Sequence, residues 1–231
     1  MIAMIAPHRP SLRIVILAAG CSRRLGRPKA LARVHGIGLL RRTAALLAPF
    51  GAAPTIVVAP PRARRFAGEL RGSSAEIRVN ARPERGLASS VRIGLGRARA
   101  RGASAVLFVP VDLADLCARD IARLIGAWRA APRRLVARRI GAGGGIPLIL
   151  PRHLFDAAAG LHGDAGLREL AQRLEPAQRR LLPLRSAAAD VDASEDLRDA
   201  RRRWRGLAQM RPKQSANTSS AAATSAREIC R

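Results

Sequence analysis

The sequence predicts an α/β protein, a Rossmann-like three-layer α/β/α domain around a mostly parallel sheet. Three observations predict it. Short apolar runs alternate with stretches of helical length along most of the 231 residues. The two strongest runs, LRIVILA at 12–18 and SAVLFVPV at 104–111, are apolar at nearly every position rather than every second one, as strands covered on both faces are. Small or polar residues follow the runs that end near 18, 79 and 111, and in open α/β sheets ligands sit beyond the carboxyl ends of the strands.

The elements follow in order. After the strand at 12–18 a loop runs to about residue 36. GLLRRTAALLAPF then has helical composition and stops at Gly51. PTIVVA at 54–59 is a second strand, 61–71 a basic helix, and AEIRV at 75–79 a third strand. The segment 88–101 reads as a helix with Val91, Leu95 and Ala98 on one face. Helix 118–130 follows the central strand. RLVAR at 134–138 and IPLIL at 146–150 are strands around a glycine-rich link. Helices at 151–159 and 164–173, a strand at 180–184, and a loop and closing helix from ADVDASEDLRDARRR complete the domain. Residues 1–11 are an N-terminal extension and 12–205 the domain. Residues 206–231, rich in Ser, Ala, Thr and Gln without apolar periodicity, are expected to be a disordered tail.

Charge and composition exclude several classes. The net charge of +26 invites a nucleic-acid reading. But the arginines are spread along nearly the whole chain, tyrosine is absent and only four Phe and two Trp occur. Stacking platforms for bases are therefore missing, no nucleic-acid-binding signature is present, and no specific nucleic-acid partner is expected. No apolar run is long enough for a membrane span. The N-terminus lacks the basic start of a signal peptide. Three scattered cysteines form neither a disulfide framework nor a zinc pattern, so a cytoplasmic protein is expected.

The chemistry gathers in four segments. The first is LAAGCSRRLGRPKAL, residues 17–31. Only Lys29 and Lys213 are lysine among 42 basic residues, so Lys29 stands out against a strong arginine bias. A lysine gives a compact point charge that fits beside a phosphate. The spacing is neither a Walker A loop nor G-x-G-x-x-G. Its parts still suit a phosphate: glycines that let backbone amides approach an anion, the Ser22 hydroxyl, and the charges of Arg23, Arg24 and Lys29. The second is Asp112 at the end of the central strand, the first aspartate in the chain. It is placed either to bind a magnesium ion facing a phosphate or to cap the next helix. The third is NARPERGLASSVRIGL, with Asn80, Gly86, Ser89 and Ser90; a helix start with hydroxyls and free amides suits an anion or a ribose, and a serine there equally suits a cap. The fourth is ADVDASED, where Asp190 and Asp192 lie two apart and Ser194 can cap the last helix. His162, beside Gly163, is a candidate for the edge of the site.

Together these segments resemble the MobA-like NTP transferases. LAAGCSRRLGRPKAL is similar to their signature L-A-A-G-x-S-x-R-x-G-x-x-K. NARPERGLASSVRIGL, FVPVDLADL, GGIPLIL, HGDAGLREL and ADVDASEDL resemble the later family segments in the same order, over residues 12–200. Ala114 and Ile146 stand where many relatives have proline and histidine. The subgroup it most resembles is the molybdenum cofactor cytidylyltransferases. The resemblance implies an enzyme that moves CMP from CTP, with Mg2+, to the terminal phosphate of molybdopterin and releases pyrophosphate. It implies that Leu17, Ala18, Ala19, Gly20, Ser22, Arg24 and Lys29 bind the nucleotide together with Asn80, Gly86, Ser89 and Ser90. Lys29, Arg24 and Asp112 would be catalytic, and Asp112 and Asp192 would hold the metal. Ala19, where GTP users commonly carry a second glycine, leans toward CTP. A recipient molybdoenzyme or its chaperone would be the protein partner. The alternatives are a related transferase acting on a sugar or polyol phosphate, and a non-catalytic basic protein that binds nucleic acid or cofactor.

Overall fold

A computed structural model of the chain describes residues 11–20, 25–51, 53–61, 63–163, 166–184, 186, 191 and 194–209. Nine strands and seven helices occur among them: β1 (Leu12–Leu17), β2 (Arg33–Val34), β3 (Ile37–Gly38), α1 (Leu39–Leu47), β4 (Ile56–Ala59), α2 (Arg64–Glu69), β5 (Glu76–Val79), α3 (Leu87–Ala100), β6 (Ala105–Pro110), α4 (Ala118–Ala130), β7 (Leu135–Ile140), β8 (Gly143–Pro151), α5 (Phe155–Ala159), α6 (Leu167–Arg173), β9 (Arg179–Leu182) and α7 (Ser194–Gln209). Seven strands form one sheet in the order β5-β4-β1-β6-β8-β7-β9. Every pairing outside β8 is parallel, and β8 runs antiparallel to both β6 and β7. The α/β class with a mostly parallel sheet stands as expected.

The continuous apolar runs have a physical reason in the two layers of helix. In β1, Ile14 and Ile16 point into one core with α1, α2 and α4. Val15 and Leu17 point into the other with α3, α5 and α6. Period-2 alternation is still present, but both faces are dry, so every position is apolar. A fully buried side chain such as Phe108 in β6 contributes about 1.5–3 kcal/mol by leaving water. Close approach of α3 to the sheet requires Gly94. A Cβ there would lie 2.5 Å from Val15 Cγ1 and 3.3 Å from Val58 Cγ2.

The sequence reading departs from the fold in particular places. The loop expected up to residue 36 contains a small antiparallel hairpin, β2–β3, too short for any periodicity to show. The glycine-rich link is a turn at Gly141 followed by strand: Gly143–Gly145 belong to β8. Gly144 is strand because nothing larger fits, since a Cβ would meet Leu181 at 2.9 Å and Ala171 at 3.1 Å. Pro147 is tolerated inside β8 because the register jumps there: Ala137 faces Leu148 while Arg138 faces Gly145, leaving Ile146 and Pro147 in a bulge. The peptide between these two is cis. Helix α7 continues to Gln209, past the boundary expected at 205. The first ten residues and 210–231 lie outside the described residues. Among the described residues no helix is long and apolar enough to cross a membrane.

Candidate active site

Because β1, β5 and β6 are parallel, their carboxyl ends share one edge of the sheet. Strand order reverses at β1, which has β4 on one side and β6 on the other, and such a switch point opens a crevice for a ligand. The first loop leaves β1 there. Ala18 still donates to Val58 O at 2.9 Å, and Ala18 and Ala19 are buried while Gly20 is exposed. Residues 21–24 lie outside the described residues, and with them the candidates Ser22 and Arg24. The chain returns at Leu25, buried in the core, turns through Gly26 at φ +66°, and enters a short 3-10 turn at Lys29.

That turn aims Lys29 back across the crevice. Its ammonium donates to Asp112 Oδ2 at 3.0 Å, and the two side chains are only 17% and 23% exposed. The first loop and the loop after β6 therefore meet, as the sequence anticipated from their places at strand ends. The Asp112 backbone is pinned as well. Its carbonyl accepts from Ala114 N and from Val191 N, both at 3.0 Å. Val191 lies between Asp190 and Asp192, so the closing segment is bonded to the residue expected to bind metal. Asp192 itself lies outside the described residues.

The third segment has a more structural arrangement than a set of free ligands. Asn80, at the end of β5, is 2% exposed. Its side-chain amide donates to Ser89 Oγ at 2.8 Å and Ser90 Oγ at 3.0 Å, and its Oδ1 accepts from Arg82 N at 3.0 Å. Ser89 donates in turn to Gly86 O at 2.8 Å. Neither serine caps α3. The three side chains tie the loop 80–86 to the first turn of α3, and Gly86 makes the corner at φ +82°. The amides expected to be free are partly used: Ala88 N donates to Gly163 O at 3.2 Å, which brings the 161–163 loop over the start of α3. His162 is exposed on that loop.

Two features were missed in the sequence. Arg42 of α1 is buried beneath the Asp112 loop and donates to Leu116 O at 2.8 Å. One more basic residue in a helix gave no signal of that. Cys117, which ends the loop, is disulfide-bonded, and its partner lies outside the described residues. Scattered cysteines suggested no such bond, because spacing along the chain does not report distance in space. No group of three or more His, Cys, Asp or Glu side chains able to hold a metal occurs among the described residues. Asp112 is a carboxylate at this crevice whose oxygen already accepts a positive charge, the Lys29 ammonium at 3.0 Å. A single carboxylate of this kind could hold a divalent cation together with substrate phosphates and waters.

The chain is similar to known proteins on two levels. It is 34% identical over 133 residues to a probable molybdenum cofactor guanylyltransferase of Rhodopirellula baltica, covering 56% of this chain and 63% of that protein. It is 42% identical over 85 residues to a bifunctional IPC transferase and DIPP synthase of Thermococcus kodakarensis, covering 35% of this chain and 20% of that protein. The chain thus spans less than two thirds of the length of these curated relatives. The crystal structure of Rv0371c from Mycobacterium tuberculosis H37Rv matches with a TM-score of 0.68 at 27% identity, over 84% of this chain and 99% of that one. A complex of Rv0371c with manganese matches with a TM-score of 0.67 at 23% identity, over 83% and 98%. The MobA-like NTP transferase domain matches residues 14–178, from the strand that leads into the lysine loop to the turn before β9, and the chain belongs to that family.

Proposed function

We propose that this protein is a nucleotidyltransferase of molybdenum cofactor biosynthesis, moving a nucleotidyl group from an NTP to the terminal phosphate of molybdopterin with release of pyrophosphate. The observation that carries the proposal is the meeting of Lys29 and Asp112 at the switch point of the sheet. It sets a cation for phosphates beside a carboxylate for a metal, and attack of one phosphate on another needs charge neutralisation more than covalent help. The acceptor phosphate oxygen bonds to the α-phosphorus in line, and the bond from that phosphorus to the bridging oxygen breaks. Lys29 holds the phosphate charge once it leaves Asp112, and the loop of Ala18–Gly20 presents backbone to the nucleotide. The network of Asn80, Ser89 and Ser90 shapes the opposite wall. Asp112, with Asp192 as its partner, would hold Mg2+, which when bound neutralises charge on the reacting phosphates.

CTP is the proposed donor, on the strength of Ala19 in the Ala-Ala-Gly stretch. The name of the R. baltica relative favours GTP as the second reading. The test is a thermal-shift panel with CTP, GTP, ATP and UTP, each with and without Mg2+. It is followed by pyrophosphate release with molybdopterin. A ligand bound only by the native state raises stability by RT ln(1 + [L]/Kd). A magnesium-dependent shift with CTP, and pyrophosphate release dependent on molybdopterin, is the expected result. A shift with GTP alone overturns the donor, and absence of pyrophosphate release overturns the reaction.

A further inference from the structure

Among the described residues Arg42 is the one arginine that is buried, at 8% exposure. Burying a guanidinium is unfavourable unless it is paired and hydrogen-bonded. Burial pulls its pKa down to about 10, opposed by the charge of Asp115, so it remains a cation at neutral pH. Its Nη2 donates to the carbonyl of Leu116, a residue 1% exposed. A buried carbonyl needs a partner, and here the partner comes from α1.

The location gives this contact its meaning. Residues 112–116 form the loop that leaves β6 and begins with Asp112. The β2–β3 hairpin separates the Lys29 turn from helix α1, but Leu39 N donates to Ala32 O at 2.9 Å and ties the start of the helix to the end of the turn. Helix α1 is therefore bonded to the end of the lysine turn at its start and to the aspartate loop from its side. We infer that Arg42 is a positioning residue: by holding Leu116 O and facing Asp115, it fixes the 112–116 loop so that the Asp112 carboxylate stands at the cation position where Lys29 Nζ now lies. The inference rests on the proposed role of Asp112 as the metal carboxylate. An apolar side chain of similar volume would fill the space but leave the Leu116 carbonyl unpaired, and the loop would relax away from its place.

The experiment uses the full chain and Mn2+ as the probe, counting free Mn2+ by electron paramagnetic resonance. Metal-free nucleotide binding and steady-state pyrophosphate release are measured alongside. Arg42→Met is expected to weaken Mn2+ binding by about 10–100-fold, the usual cost of losing a group that orients a metal ligand. It should lower kcat while metal-free nucleotide affinity is unchanged. Arg42→Lys, which restores a charge and a donor, should recover most of the loss, and Asp115→Asn should weaken Mn2+ by a smaller factor. A merely structural role would move the melting temperature of these variants but not the Mn2+ affinity of the folded protein. Wild-type Mn2+ affinity in Arg42→Met overturns the inference. Should that variant fail to fold, wild-type Mn2+ affinity in Asp115→Asn overturns it. Asp112→Asn separates the two ideas. If it alone loses Mn2+, the metal assignment stands and only the role of Arg42 falls; if it binds Mn2+ as the wild type does, both fall.

Discussion

The half of the sheet around β1 and β6 and the half around β8, β7 and β9 are held together in different ways. In the first, polar side chains cross between elements: Lys29 to Asp112, Arg42 to Leu116, Asn80 to Ser89 and Ser90. In the second, the central feature is absence of side chain. Gly143, Gly144 and Gly145 let β8 lie against Gln172, Leu181, Ala171 and Ile140. The proposed donor chemistry sits in the first half, and GGIPLIL, one of the segments by which the sequence resembles the family, lies in the second. The difference teaches that side chains meant to meet at one point need fixed partners across loops, while a strand pressed close to its neighbours can be held by backbone and packing alone.

Substitutions divide along the same line. The largest effect is expected for Asp112→Asn, which should lower pyrophosphate release by at least about 10³-fold, about 4 kcal/mol of barrier. Its melting temperature should change little, because a partly exposed ion pair contributes modestly. Lys29→Ala comes next, at about 2.7–4 kcal/mol of barrier, read in the same assay with weaker nucleotide binding. Near-normal turnover in either variant would break the assignment of chemistry to this half. Gly144→Ala should do the reverse. Overpacking against Leu181 and Ala171 should cost about 1–3 kcal/mol in urea unfolding, with nucleotide affinity of the folded protein retained. If it shifted nucleotide affinity more than stability, the two halves would not be separable.

The smallest effect lies at the sheet edge. Burial pushes the Glu76 carboxyl up, but hydrogen bonds from Arg97 and Arg78 outweigh it and hold its pKa below the ordinary value of 4.5. A carboxyl with a depressed folded pKa contributes stability that is present above the unfolded value and lost as pH falls through the folded one. Melting temperature should therefore fall below about pH 4.5 partly on account of Glu76. Glu76→Gln should flatten that limb slightly, by well under about 1 kcal/mol, because ion pairs at a sheet edge within reach of solvent contribute little.

What was legible in the sequence followed from chemistry that leaves a mark. Lys29 stood out against a background of arginine, Asp112 against a chain without earlier aspartates, and both proved to be neighbours. The strands β1 and β6 were legible because two dry faces demand unbroken apolar runs. Helix α4, expected from about 118 to 130, spans Ala118–Ala130. The reversed direction of β8 was not. A strand covered on both sides reads the same in either direction, and glycines look like a linker when Gln172, Ala171 and Leu181, which Gly143 and Gly144 pack against, lie 27 to 37 residues further along the chain in α6 and β9. Arg42 was hidden for the opposite reason: burial, not residue type, makes it distinctive. The serines near Asn80 were found, but the sequence did not show that they face inward to one another.

The reversal of β8 has one more consequence. Because β7 runs with β6 and β8 runs back, the turn at Gly141 and Ala142 projects from the same edge as the lysine and aspartate loops. Gly141 and Ala142 are both exposed at the tip of this hairpin. Residues inserted there would lengthen one wall of the crevice without moving a single backbone bond of β1 or β6. Such a tip gives evolution, or a protein engineer, a place to change which molecule is accepted while the nucleotide machinery stays as it was.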